Sequence, residues 1–290
     1  MARLLLTLLA TLFFLPLETV CAGTLSHHKF ESSTLGRDYP FNIYLPDGYA
    51  NSENSYPVLY LLHGSNGNEN DWSIKGNVVE TTDRLIANKT IIPAIIVMPG
   101  SESWWVDGYN EKAETAFLED LIPYVEANWR VVPQRQGRFL AGLSAGGYAS
   151  VNFVLKHPKL FAAAAALSPA SYFPYPPATS SAMSHPTFTR SDGSFDEALW
   201  QTLNYTQYIT TYKAQEFVVP LYINSGDHDE FDITYHAAVL YQSLREHQPE
   251  HIEFRVVDGG HEWAVWARTL PEAMIYLFSF ANNPVPDNSR

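Results

Sequence analysis

The sequence has 290 residues, of which 46% are hydrophobic and 14% aromatic, enough apolar material for one substantial core and a small insertion. The formal net charge is −13 and the isoelectric point is near 5.1. This balance argues against nucleic acid or an anionic membrane surface as a partner, because both select for basic patches, and it favours a neutral or cationic small molecule.

The first 22 residues have the three regions of a secretory signal peptide: Arg3, an apolar stretch at residues 4–17, and small residues before the expected cleavage point after Ala22. A membrane anchor is the less favoured alternative, because the stretch is interrupted by Pro16 and falls short of the roughly 20 residues that span a bilayer. We therefore expect a secreted or periplasmic protein. Cys21 is the only cysteine, so the cleaved protein would have none. Disulfides, thiol nucleophiles and cysteine–metal sites would then be excluded together.

Strand and helix patterns alternate along the rest of the chain. Short apolar or alternating runs predict strands at residues 41–45, 58–62, 94–98, 138–141, 162–167, 218–224 and 252–257. Helical spacing of apolar residues predicts helices at 78–87, 113–129, 148–157, 233–245 and 269–280. Pro123 is expected to bend the second of these helices, and Pro271 is expected in the first turn of the last. The alternation predicts an α/β fold with a mainly parallel central sheet, helices on both faces, and a site at the carboxyl ends of the strands.

One long segment, residues 169–215, does not follow this alternation. It contains a proline-rich run at 173–177, several serines and threonines, and a short helical pattern at 195–203. A connection of this length is usually either a surface excursion or a partial cover over a site, and the sequence leaves both open. We expect one domain over residues 23–290 with this segment as a lid-like insertion.

The segment Gly-Leu-Ser-Ala-Gly-Gly at residues 142–147 joins the strand at 138–141 to the next helix. A serine with a glycine two positions away on each side can occupy the sharp turn that lifts its hydroxyl clear of the sheet edge. Ser144 is therefore the candidate nucleophile, and a side chain at 142 or 146 is expected to collide with the neighbouring strand and helix. Because this pentapeptide also arises by chance, the assignment needs partner residues.

A serine hydroxyl needs a base to take its proton, and in folds of this class the chain order is nucleophile, acid, histidine. Of the ten histidines, only His261 follows all the predicted strands, in a loop with two glycines that free its backbone. The acid is expected after the strand at 218–224, where four carboxylates occur. Asp232, just before a helix, is typical of an N-cap. Spacing alone leaves Asp227 and Asp229 as open alternatives.

The same stretch also invites a metal-site interpretation, through the triplet Asp-His-Asp at residues 227–229. Adjacent residues rarely converge on one ion, so we predict no metal site. The tetrahedral intermediate of acyl transfer instead needs two backbone donors for its oxyanion. Ala145, which follows the nucleophile, supplies one N–H, and Ser65 in the loop after the buried strand at 58–62 supplies the other, with Gly64 allowing close backbone approach.

Taken together, these segments resemble the putative esterase family, which includes esterase D (S-formylglutathione hydrolase), feruloyl, acetyl-xylan and siderophore esterases, and mycolyltransferases. The resemblance covers roughly residues 37–280 and is carried by six short segments: Leu-Leu-His-Gly at 61–64, Val-Met-Pro at 97–99, Glu-Asp-Leu-Ile-Pro at 119–123, the nucleophile segment at 142–147, His-Pro at 157–158 and Leu-Ser at 167–168. It implies an α/β-hydrolase fold and hydrolysis of carboxylic esters through an acyl-enzyme, without a cofactor.

The resemblance also bears on individual residues. Gly-Asp-His-Asp-Glu-Phe at 226–231 is similar to the esterase D segment in which the carboxylate before Gln-Phe or Glu-Phe is catalytic, which favours Asp229; the residue after His63-Gly64 donates to the oxyanion in such proteins, which again gives Ser65. The signal peptide, the missing cysteine and the insertion depart from esterase D. We therefore expect a secreted feruloyl, acetyl-sugar or siderophore esterase rather than a formylglutathione hydrolase.

Several residues are candidates for substrate contact. Trp104, Trp105 and Trp263 flank the predicted site loops, and indole faces suit ring-shaped substrates, although packing beneath the insertion is an alternative for each. His63 is a further candidate at the oxyanion loop, and Tyr172 is a weaker one.

Two other functions remain alternatives to ester hydrolysis. The same acyl-enzyme could pass its acyl group to another acceptor, as in the mycolyltransferases, and a non-catalytic binding module could use the same fold. The sequence predicts no oligomeric state.

Overall fold

The structure is a computed structural model that describes residues 22–286. The predicted signal peptide lies outside the described residues except for Ala22. The strands are β1 (Thr24–Ser32), β2 (Arg37–Leu45), β3 (Asn54–Ser55), β4 (Val58–Leu62), β5 (Ile95–Pro99), β6 (Arg138–Leu143), β7 (Ala163–Leu167), β8 (Leu221–Gly226), β9 (Ile252–Val257) and β10 (Val285–Pro286). The helices are α1 (Asp71–Ile74), α2 (Val78–Ala87), α3 (Ala113–Ala116), α4 (Ile122–Asn128), α5 (Ala145–Lys156), α6 (Glu197–Thr202), α7 (Ile209–Ala214), α8 (Ile233–Arg245) and α9 (Trp263–Phe278).

Eight of the strands form one sheet in the order β1-β2-β5-β4-β6-β7-β8-β9. Strands β4 to β9 within it pair in parallel, and β1 and β2 add an antiparallel edge. This arrangement confirms the predicted α/β class with a mainly parallel sheet. The edge strand β1 was not predicted, because most of its side chains are exposed and give no apolar pattern.

The sheet carries an apolar core on each face. Side chains alternate along β4, so Val58, Tyr60 and Leu62 pack with one cluster while Leu59 and Leu61 pack with the other. The first cluster lies beneath α3, α4, α5 and α8, and the second beneath α1, α2 and α9. Burial on both faces explains why the central strands have continuous apolar sequences.

Two helices differ from the sequence prediction. Helix α9 begins at Trp263 rather than near 269, so Pro271 lies in its interior instead of its first turn. The buried stripe that includes Val265, Trp266 and Leu270 packs on the sheet and extends the helix despite the proline.

The second difference is local: the segment predicted as one helix bent at Pro123 is helical throughout residues 113–128, but it contains an irregular turn before the proline. A π-helical turn, Phe117–Leu121, joins α3 to α4, and the Ile122 N–H donates to the Phe117 carbonyl. Pro123 lies directly after this turn and has no N–H to donate back into it, so the regular α-helical hydrogen bonding is interrupted here.

The long segment at 169–215 is packed rather than loose. Its helix α6 is capped by Asp196, whose carboxylate accepts a hydrogen bond from the Leu199 N–H at 3.0 Å. Its buried Trp200 stacks on Tyr148 of α5, and both belong to a third apolar cluster with Trp104. Within residues 22–286, none of the helices combines the length and apolar character that crossing a bilayer requires.

Candidate active site

Ser144 lies in the turn between β6 and α5, with φ 52° and ψ −114°, a left-handed backbone that non-glycine residues rarely adopt. Its N–H donates to the Leu167 carbonyl at 2.9 Å, which ties the turn to the neighbouring strand. A Cβ at Gly142 would lie 2.4 Å from the backbone of Gly146, and a Cβ at Gly146 would lie 2.6 Å from the His63 carbonyl oxygen. The expected collisions at both glycines are therefore confirmed.

Three side chains that are far apart in sequence meet at the carboxyl end of the sheet. His261 Nε2 lies 2.8 Å from Ser144 Oγ, and His261 Nδ1 lies 2.7 Å from Asp229 Oδ2. An ionised carboxylate can only accept, so Nδ1 carries the hydrogen and Nε2 is left to accept the serine proton. The Asp229 side chain is fully buried and that of His261 is 10% exposed, so the pair works in a largely dry environment.

The structure separates the two aspartates that spacing left open. Asp229 faces His261, and its second oxygen accepts a hydrogen bond from the Phe231 N–H at 3.1 Å. Asp227 is turned to the surface, where it contacts His228 at 2.7 Å and accepts the Gly259 N–H at 3.0 Å. Burial and contact with the imidazole thus favour Asp229.

The remaining acidic groups of this loop do not reach the histidine ring. Asp232 occupies the N-cap position of α8, but its side chain makes no capping hydrogen bond, so that part of the expectation is wrong. Asp227, His228 and Asp258 are mutually within 4.8 Å and exposed. This grouping differs from the triplet considered in the sequence, because Asp229 points to His261 instead.

The loop after β4 passes directly against the serine turn. A Cβ at Gly64 would lie 3.3 Å from the Ser144 Cβ and 2.6 Å from the end of the Leu143 side chain, so the absence of a side chain at Gly64 favours this close approach. In the described part of the chain, the N–H groups of Ser65 and Ala145 donate to no protein acceptor. Both N–H groups therefore lack a competing protein acceptor beside the serine turn within residues 22–286.

His63 and Trp105 do not line the cleft, which corrects the expectation that they contact substrate. His63 is 1% exposed; its Nδ1–H donates to the Gly64 carbonyl at 2.7 Å, and its Nε2 accepts the Ser101 N–H at 3.0 Å. Burial lowers the pKa of His63, which keeps the ring neutral. Trp105 is fully buried and its Nε1–H donates to the His63 carbonyl. Both residues therefore support the Gly64 loop from behind.

A cleft of about 550 Å³ opens over Ser144 and His261. Trp104, Trp263 and Tyr172 line it, so all three stay candidates for substrate contact. The walls also contain residues that the sequence did not single out, namely Phe231, Trp266, Asp71, Glu262, Thr179, Ser180 and Ser181. Trp266 was missed because α9 was expected to begin only after it. The insertion supplies one wall, as the cover interpretation requires.

Comparisons with known proteins agree with this geometry. The model of the putative esterase family matches residues 32–277. An endo-1,4-beta-xylanase/feruloyl esterase of Xylanibacter ruminicola is 33% identical over 162 residues, which cover 52% of this chain and 22% of that protein. An acetyl esterase of Caldicellulosiruptor saccharolyticus is 25% identical, with 76% of this chain and 82% of that protein covered.

A solved structure of a ferulic acid esterase superposes on this chain with a TM-score of 0.77. The two are 26% identical, and the match covers 89% of this chain and 98% of the other.

Proposed function

The chain belongs to the putative esterase family, and from that premise we propose that it is a serine carboxylic-ester hydrolase working through an acyl-enzyme. The observation that carries the proposal is the continuous contact from Ser144 through His261 to the buried Asp229. Such a chain of groups turns an unreactive hydroxyl into a nucleophile.

In the proposed reaction, His261 Nε2 takes the proton of Ser144 as its oxygen attacks the ester carbonyl carbon. Asp229 holds the imidazole and stabilises its positive charge. The N–H groups of Ser65 and Ala145 bind the oxyanion. Collapse of the intermediate expels the alcohol, which receives the proton from His261. A water molecule, activated by the same histidine, then attacks the acyl-enzyme and releases the acid.

The walls of the cleft favour a ring-bearing or sugar-linked ester as substrate. Its lining combines the aromatic side chains of Trp104, Phe231 and Trp263 with the serines Ser180 and Ser181 of the insertion. A volume of about 550 Å³ is in the range of small-molecule sites. The names of the relatives, feruloyl esterase and acetyl esterase, support the same substrate classes.

Replacing the nucleophile tests the enzyme assignment. We expect Ser144→Ala to reduce hydrolysis of p-nitrophenyl acetate by roughly 10⁶-fold and to abolish labelling by a fluorophosphonate probe. Ser184→Ala is a matched control, because Ser184 is an exposed serine whose side chain does not line the cleft. Wild-type turnover by Ser144→Ala would disprove the assignment.

A panel of esters tests the substrate class. We expect feruloyl esters and acetylated sugars to be hydrolysed with higher kcat/KM than simple alkyl esters or catecholate lactones. Adding glycerol or a sugar as a competing acceptor separates hydrolysis from acyl transfer, because only a transferase would give the new ester as its main product.

We further propose that the protein is exported, on the strength of the apolar N-terminal stretch described above. Sequencing the N-terminus of the exported protein tests this. A start at Gly23 is expected, and retention of the protein in the cytoplasm would contradict it.

A further inference from the structure

We propose that the side-chain hydroxyl of Ser65 is a third donor to the oxyanion, beside the N–H groups of Ser65 and Ala145. The inference rests on the proposed ester hydrolysis and adds a catalytic group to it. The observation behind it is the set of hydrogen bonds made by one oxygen atom, Ser65 Oγ.

The first bond to this oxygen comes from Trp104, whose Nε1 lies 3.0 Å away. An indole nitrogen can only donate, so Ser65 Oγ is the acceptor. The indole is 1% exposed and packs edge-on against Tyr148 and Trp200, with ring centroids 5.8 Å and 6.0 Å away. Its N–H is therefore held in a fixed direction.

The second bond comes from the insertion, where Ser181 donates its hydroxyl to Ser65 Oγ at 3.0 Å. Ser181 begins a short helical turn, Ser181–Met183, and the preceding Ser180 caps it by accepting the Ala182 N–H. The insertion thus places this donor through local backbone structure.

A serine hydroxyl has two acceptor lone pairs and one hydrogen. With both lone pairs of Ser65 occupied, its own hydrogen must point in the remaining direction, and no protein acceptor receives it among residues 22–286. Ser65 lines the cleft with Ser144 and His261. The hydroxyl is therefore prepared to donate to something that enters the cleft.

The oxyanion is the acceptor that fits this donor best. Gly64 lies against Ser144, which brings the next residue to the reacting carbon. The N–H and the hydroxyl of one serine share the same Cα, so both can reach one oxygen atom. Donors that are fixed before the reaction stabilise developing charge more than donors that must reorient. Trp104 and Ser181 are then positioning residues.

The test compares Ser65→Ala with wild type on p-nitrophenyl acetate. The alanine variant keeps the backbone N–H and loses only the hydroxyl. We expect kcat to fall about 10- to 100-fold while KM changes less than about threefold, because the bond forms only in the transition state. Affinity for a trifluoromethyl ketone, whose adduct carries an oxyanion, should fall by a similar factor. Ser184→Ala should behave as wild type.

Ser65→Cys gives a second test if the alanine variant is unstable. A thiol is similar in shape but a weak donor, so kcat should again fall. A kcat within about twofold of wild type in either folded variant, or a change in KM alone, would overturn the proposal. This failure is distinct from failure of the enzyme assignment, which Ser144→Ala decides.

Ser181→Ala tests the positioning role. We expect it to lower kcat severalfold in the wild-type background and to have no further effect in Ser65→Ala, because it acts through Ser65. If Ser181→Ala lowered kcat by the same factor in both backgrounds, Ser181 would act independently of Ser65, and its positioning role would be overturned.

Discussion

The two aspartates on either side of His228 make a matched pair for mutation. We expect Asp229→Asn to lower kcat about 10³- to 10⁴-fold, because an amide no longer requires the hydrogen on His261 Nδ1 and cannot stabilise the imidazolium. Asp227→Asn should stay within a few-fold of wild type, because Asp227 lies at the surface and contacts His228 instead.

Steady-state kinetics at neutral pH measure both variants, and circular dichroism verifies that each is folded. Comparable losses in the two, or a larger loss in Asp227→Asn, would contradict the assignment of Asp229 as the acid.

The three residues of the proposed triad could be found in the sequence because their order along the chain is fixed in folds of this class. The Gly-x-Ser-x-Gly segment gave Ser144, position after the last strand gave His261, and the resemblance chose Asp229; the structure brings the three together. The sequence could not show which of the adjacent tryptophans, Trp104 or Trp105, lines the cleft, because the two residues are of the same type. Trp105 has φ 64°, and this left-handed backbone is invisible to a pattern of residue types.

At the scale of elements, the insertion is packed firmly enough to affect the site. Trp200 of α6 is fully buried between Tyr148 and Phe188, and its ring lies 6.0 Å from that of Trp104. We expect Trp200→Ala to lower the free energy of unfolding by about 3–5 kcal/mol, because it leaves a large cavity. It should also lower kcat, since Trp104 loses a packing partner and holds Ser65 less firmly.

Urea unfolding and kinetics on the same preparation measure the two effects. Tyr175→Ala is the control: it removes an aromatic side chain of the same insertion that is 39% exposed and accepts one hydrogen bond, from Gln201 Nε2 at 2.8 Å, so a change of only about 1 kcal/mol is expected. A free energy of unfolding of Trp200→Ala equal to that of wild type would mean that the insertion does not depend on the apolar cluster around Trp200.

Helix boundaries were the least predictable part of the fold. Pro271 was interpreted as a helix start because proline favours the first turn, but the apolar stripe from Val265 onward packs on the sheet and extends α9 to Trp263. The π-helical turn before Pro123 depends on a hydrogen bond between Ile122 and Phe117 that no residue type signals. Tertiary packing therefore determines where α9 begins.

At the scale of the whole molecule, alternating strand and helix patterns predicted a mainly parallel sheet with helices on both faces. The order of the strands was not predictable in the same way. Strand β4 lies between β5 and β6, so neighbours in space are not always neighbours in the chain. The antiparallel edge strand β1 gives a weak apolar signal, because most of its side chains are exposed and few pack inward, such as Phe30, which stacks on Tyr124 with ring centroids 4.1 Å apart.

The fold also contains histidines that are buried in their neutral form. Burial lowers the pKa of His63, and the Gly64 carbonyl and the carboxylates of Asp71, Glu69 and Glu111 oppose this shift without overcoming it. Burial lowers the pKa values of His185 and His236 in the same way. As the pH falls below about 6.5, the unfolded chain binds protons at these positions more readily than the native protein does. Stability must therefore decrease towards acid pH.

His63→Gln isolates one part of this effect, because glutamine does not titrate. The variant should be less stable than wild type at pH 7.5, since the imidazole bonds to Gly64 and Ser101 are lost. Below about pH 6.5 its stability should fall less steeply, by up to about 1.4 kcal/mol per pH unit, which is the linkage of one proton. Urea unfolding at half-unit steps from pH 8.5 to 5 measures both slopes. The two slopes should coincide above pH 7.5, where histidine carries no proton in either state. Stability curves of wild type and variant that stay parallel down to pH 5 would contradict the prediction, because they would show that His63 binds a proton in the native protein as it does in the unfolded chain.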